Sequence, residues 1–318
     1  MQNVETIIKE TADMNSIESV NREAVKEILA KHDLDWDVRL ENLIAISTIE
    51  SNLGDTLETD NAGIFRNDNH FHLGTVSKRY TILQNSELVD TILMAAKDCG
   101  MTITSGGECY GGARVYLNLG LPTVKVGHSK VKRAITVLNG HDGKGSVRFA
   151  ASYSILMNGK VNSYCKIFGN SNSFRHTSSV YNRVNQAVAG MFASLQKEEA
   201  SILKMKEMSN FKFSPEKGTA DYKLFEELML KCFKVDLNQS IAKSSTKTIN
   251  NMNAVSNSVN AFVAGENKTL WGLFNGILCS TAMKTPKGQK TQDYTMTGRG
   301  NVVNQRAFDI ISNFLDRG

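Results

Sequence analysis

Over residues 4–31 apolar positions recur with helical spacing. In SIESVNREAVKEILAKHD, Val20, Ala24, Val25, Ile28 and Leu29 share one face, Ser16 stands at a capping position and Glu18 lies in the first turn. A second helix is expected over 37–51, with Leu40, Leu43 and Ile44 inward, although Ser47 interrupts the stripe. The segment 54–70 is polar and reads as a loop. From 71 the pattern changes: HLGTVSKRYTIL is rich in β-branched and aromatic residues and reads as extended. SELVDTILMAAKDCG, 86–100, reads as a helix closed by Gly100. Residues 101–121 read as two strands, with Gly106–Gly107 and Gly111–Gly112 supplying turns or bulges. Strands at 131–139 and 145–156 flank NGHDGKG, a strong hairpin-turn signal. Residues 71–156 are therefore expected to form a largely antiparallel sheet with an inserted helix.

Helices are expected again at 158–168, 178–209, 219–233, 262–283 and 303–315. In 219–233, Leu224, Leu228 and Cys232 fall on one face. The tract 235–260 is polar, and 284–302 reads as a basic loop. The fold class is α+β: a central, mainly antiparallel sheet with an inserted helix, flanked by N-terminal helices and a helical C-terminal part. The expected organisation is an acidic helical segment over 1–60, a basic α+β core over 61–200 and the helical part over 201–318.

Charge sharpens this picture. Residues 1–108 carry 9 Lys and Arg against 19 Asp and Glu, whereas residues 109–197 carry 12 against the single acid Asp142. A field of that kind holds polyanions by displacing their counterions. Tyr110, Tyr116, Phe149, Tyr153, Tyr164, Phe168, Phe174 and Tyr181 are interleaved with the basic residues. Cations that track a backbone beside rings that stack bases are the equipment of a single-strand binder. The competing reading is that these charges neutralise the acidic third and that the rings are core.

Five scattered cysteines without a CxxC pair argue against a disulfide framework and a zinc ribbon. Reduced, mostly buried thiols are the expected state, which leads us to expect a cytoplasmic protein, in the host cytoplasm if phage-encoded; with no 18-residue apolar run and no basic, apolar leader, neither a membrane span nor a secretory signal is expected.

Five segments in order carry a resemblance: VSKRYTILQN (76–85), SGGECYGGARVYLNLGLP (105–122), LNGHDGKGSVRFAASYSILMNG (138–159), FRHTSSVYNRV (174–184) and TLWGLFNG (269–276). In this order they resemble the phage/plasmid-like proteins grouped as domain of unknown function 932. The resemblance implies a mobile-element setting and little chemistry. Where the family has Cys-x-Asn after a strand, this chain has Met157 before Asn158, so no catalytic cysteine is carried over. The expected sheet with helices on one side also resembles, at the level of fold, phage single-strand annealing proteins.

Individual motifs add less. SGGECYGGAR lacks the GK[ST] ending of a P-loop. His141-Asp142-Gly143, with His176, suits either a metal or acid–base site or a plain turn, and the turn is favoured. His70-Phe71-His72 has the alternation of a metal pair but lacks a third ligand at readable spacing. Arg175, ahead of a helix start, suits a phosphate.

The expected function is binding of single-stranded DNA, with strand annealing in phage recombination or replication, by a homo-oligomer forming a ring or filament, without cofactor or metal. The residues expected to contact nucleic acid are Arg79, Tyr80, Arg114, Tyr116, Lys132 and Arg133, together with Arg148, Lys160, Lys166, Arg175, His176 and Arg183. A metal-dependent enzyme acting on nucleic acid, using His141, Asp142 and His176, stays open as an alternative. So does a phage anti-defence or host-interaction protein.

Overall fold

The computed structural model describes residues 22–48, 53–157, 160–167, 173–174, 180–237, 253, 256–257, 259–260, 268–287, 294–295 and 298–317, with backbone alone at 98, 156–157, 160–167, 173–174 and 180–181. The protein is α+β, with two antiparallel sheets and six helices among the described residues. The order is α1 (Arg22–Lys31), β1 (Val38–Ile46), β2 (Thr56–Arg66), β3 (His72–Ser77), α2 (Asn85–Asp98), β4 (Thr102–Cys109), β5 (Arg114–Val126), β6 (Ser129–Gly140), β7 (Val147–Met157), β8 (Lys160–Ile167), β9 (Ser173–Phe174), α3 (Val180–Asn210), α4 (Ala220–Phe233), α5 (Leu270–Met283) and α6 (Arg299–Leu315). One sheet runs β1-β2-β3, and the other runs β4-β5-β6-β7-β8 with β9 on β7.

The chain divides into two compact units, and neither is a single stretch of sequence. The first comprises Met1–Gly120, Ile135–Ala150 and Asn170–Ser194. The second comprises Leu121–Ala134, Ala151–Gly169 and Leu195–Gly318.

In the first unit α2 follows the expected pattern. Gln84 and Glu87 make a reciprocal capping box, Leu88, Val89 and Ile92 are buried, and Gly100 takes φ 63° beyond the last turn. Val115, Leu117 and Leu119 of β5 and Ile135 and Val137 of β6 are also buried. In the second unit α5 is buried nearly all round, as expected of a helix apolar on every face. Trp271, Phe274 and Ile277 meet Leu224 and Leu228 of α4 and Phe308 and Ile311 of α6 in one core. The α4 stripe of Leu224, Leu228 and Cys232 is buried as read from its spacing.

Several expectations are corrected. Residues 38–46 are strand, not helix: β1 pairs with β2 from Val38↔Arg66 to Ile46↔Thr56. The imperfect helical stripe loses to β-branched residues with a partner strand of matching length. That partner, Thr56–Arg66, falls in the segment read as a loop for its polar side chains, but its first half is exposed and has no need of apolar ones, whereas Ala62 and Ile64 of its second half are buried. Residues 160–167 are strand rather than helix: β8 pairs antiparallel with β7 from Ala151↔Ile167 to Met157↔Lys160, and its valine, tyrosine and isoleucine favour an extended chain that has a partner strand. The expected single sheet over 71–156 is split, since β3 pairs with β2 and not with β4. Of the two expected glycine pairs, Gly106 and Gly107 lie within β4, opposite Leu117 and Tyr116, whereas Gly111 and Gly112 do make the turn, at Tyr110–Gly112. α6 begins at Arg299, inside the segment expected to be a basic loop. Residues 4–21 of the expected first helix lie outside the described residues.

Candidate nucleic-acid interface

In the first unit β6 and β7 are joined by His141-Asp142-Gly143-Lys144-Gly145-Ser146. Asp142 shapes this loop: its Oδ1 accepts from the Lys144 backbone N–H at 2.9 Å and from Arg114 Nη1 at 2.6 Å. Gly143 sits at φ 72°, and a Cβ there would collide with Val76 Cγ1. Below it, a Cβ on Gly74 of β3 would lie 2.5 Å from the Asp142 carbonyl oxygen. The loop therefore rests directly on the β3 backbone. The chain leaving β3 forms the facing wall, so Arg79, Tyr80 and Thr81 enclose with Gly143–Ser146 a cleft of about 360 Å³.

The cleft is cationic. Arg79 and Lys144 line it and are exposed. Arg114 stands beneath the loop, where a Cβ on Gly145 would be 2.9 Å from its Nη1, so the glycine admits the guanidinium. Burial, and then the Asp142 carboxylate, push the Tyr80 phenol up to about 12, with Arg114 opposing. Its hydroxyl points to the Gly140 carbonyl at 3.5 Å. Tyr80 therefore stays a neutral donor at physiological pH.

His141 turns the other way. It is buried, its ring edges Trp36 at 5.5 Å, and Nε2 lies 2.9 Å from Asn85 Oδ1. Asn85 Nδ2 donates to the Leu34 and Trp36 carbonyls, which leaves Oδ1 as the acceptor and places the proton on His141 Nε2. The His141 ring locks the loop to the core. Asp142 is held by Arg114, and among the described residues no group of three His, Cys, Asp or Glu is placed to hold a metal. His176 lies outside the described residues.

Of the residues expected to contact nucleic acid, the fold brings together Arg79, Tyr80 and Arg114. Arg148 is exposed on β7, beyond the buried Val147. Tyr116 is only 6% exposed and covers Gly107. Arg183 is buried at the start of α3 and faces Glu87 of α2 at 3.7 Å. In the second unit Lys132 is exposed, whereas Arg133 donates to the Pro122 carbonyl and to Glu198. Lys160 and Lys166 lie on β8 with side chains outside the described residues, and Arg175 and His176 lie outside them altogether. Phe149 and Tyr153, read as interleaved rings, are core, whereas Tyr110 is 49% exposed. Charge alone does not single out Lys144, which sits at the mouth of the cleft. The signal for it was its place between two glycines in a turn already recognised.

A family model described as Domain of unknown function (DUF932) matches residues 72–295. The chain belongs to this family. Both walls of the cleft, at 79–81 and 143–146, fall within the DUF932 match, and β1 and β2 precede it. No curated protein and no solved structure matches the chain.

Proposed function

We propose that this DUF932 protein binds single-stranded nucleic acid, DNA in preference to RNA, and anneals complementary strands in phage or plasmid recombination or replication. One observation carries the reading. The lone acid of residues 109–197, Asp142, is committed to Arg114, so it neutralises none of the exposed cations around it. Among the described residues Arg79, Lys144 and Arg148 of the first unit, and Lys125, Lys130 and Lys132 of the second, are exposed and form no ion pair. Phosphates satisfy such groups, and annealing requires only that strands be held with their bases accessible, so it needs no cofactor. The segregation of acidic and basic stretches along one chain supports head-to-tail homo-oligomers, as rings or filaments, in the host cytoplasm.

Arg79→Ala and Lys144→Ala test the cleft. Each is expected to weaken single-strand binding and to lower the slope of log K against log salt by about 0.7, the share of one phosphate contact. Unchanged slopes in both variants would exclude the cleft as the contact.

A further inference from the structure

β1 and β2 continue past the third strand of their sheet. β3 pairs with β2 only between Asn61 and Phe65, so the distal half of the hairpin, Ile44↔Glu58 to Ile46↔Thr56, is a two-stranded ribbon. Its large apolar side chains are open to solvent. Ile44 is 60% and Ile46 67% exposed on one face, Leu57 is 60% exposed on the other, and Leu53 near the tip is 73% exposed. A two-stranded ribbon is marginal alone, and bare apolar groups on both faces mark a contact surface. The arm also precedes the family-matched residues.

Its charge selects the partner. Residues 40–60 contain Glu41, Glu50, Asp55, Glu58 and Asp60 and no Lys or Arg. A nucleic acid or an anionic surface is repelled by such an arm, and so is a second arm. The matching surface is the β5–β6 turn of the second unit, where Lys125, Lys130 and Lys132 are exposed and form no ion pair among the described residues. We infer that the β1–β2 arm is the assembly element of the protein and docks on the β5–β6 lysines of a second copy of this chain, head to tail. This rests on the proposed self-assembly and not on nucleic-acid binding, with which the arm competes for the same lysines. A contact between unlike surfaces leaves one arm and one recipient free at the ends, and so propagates or closes into a ring.

Sedimentation of the full chain over a concentration series at low and moderate salt tests the inference. The wild type is expected to self-associate at micromolar concentration, and more weakly as salt rises. Ile46→Thr/Leu57→Thr removes apolar surface and places β-branched residues, which suit a strand, at both positions. It is expected to weaken association at least tenfold with the thermal midpoint unchanged, because both side chains are exposed. Glu58→Lys provides a second, charge-reversing variant with the same expected direction. Mixed with wild type, the double variant is expected to cap growth, since its recipient surface is intact. A monomeric wild type, variants that associate as well as wild type, or a double variant excluded from wild-type assemblies would each overturn the inference. Arm-dependent assembly without any binding of oligonucleotide would leave it standing and remove the nucleic-acid reading instead.

Discussion

Arg114 and Asp142 meet 2.6 Å apart beneath a glycine loop, and the carboxylate oxygen that takes the guanidinium also takes the Lys144 N–H. The one acid of the basic stretch is thus a structural strut. Asp142→Asn keeps an acceptor for the Lys144 N–H and releases the Arg114 charge. Stability in urea is expected to fall by roughly 1.5–3 kcal/mol, the range for a hydrogen bond to a charged group. Affinity for single-stranded DNA is expected to rise at low salt. A catalytic Asp142 would instead show turnover of labelled nucleic acid in Mg²⁺ that the substitution abolishes.

The loop and β3 touch through glycine, so added methyl groups should rank by what they strike. Gly74→Ala meets the Asp142 backbone at 2.5 Å, whereas Gly145→Ala meets the end of the Arg114 side chain at 2.9 Å. Backbone cannot swing aside, and a guanidinium can. Gly74→Ala is expected to cost about 1–3 kcal/mol, the range for overpacking, and Gly145→Ala clearly less. Chemical denaturation of the two variants side by side checks the order.

Much of this arrangement was legible in the chain, and the failures have identifiable causes. The turn at 141–146 was readable because its Asn, Asp and Gly residues have backbone preferences of their own. The α4 stripe was readable because Leu224, Leu228 and Cys232 are all buried. β1 was misread because the pattern rule equates apolar with inward, and Ile44 and Ile46 point to solvent. The site was legible only as a charge excess. That Arg79 and Tyr80 would face Lys144 depends on β3 lying under the loop, a tertiary contact with no local signal. Tyr116 and Arg183 were included for their residue type, and both turn inward.

Neighbours on β6 should separate binding from stability. Lys132 is exposed, whereas Arg133 neutralises Glu198, which is 1% exposed and whose pKa burial raises. Lys132→Ala is expected to weaken oligonucleotide binding with little change in stability. Arg133→Ala strands a buried carboxylate and is expected to cost about 3 kcal/mol at neutral pH. Since a raised folded pKa means that the folded state binds the proton more tightly, stability is retained below the unfolded value and lost as pH rises through the folded one. The Arg133→Ala penalty should therefore shrink as pH falls toward 4, which denaturation at several pH values measures.

Tyr80 makes an alkaline prediction. Its folded value of about 12 lies above the ordinary 10, so between pH 10 and 12 the unfolded chain ionises first. The stability it contributes is complete below pH 10 and declines as pH rises through 12. Tyr80→Phe is expected to flatten that decline in alkaline unfolding. An unchanged profile would mean that Tyr80 titrates as an exposed phenol.

The central claim is tested most directly by fluorescence titration of a labelled single-stranded oligonucleotide and its duplex counterpart, each repeated across a salt series. The proposed function predicts tighter binding of the single strand, little sequence preference, and an affinity that falls steeply and linearly in log salt. Binding that ignores salt, or no binding of the single strand at low salt, would contradict it.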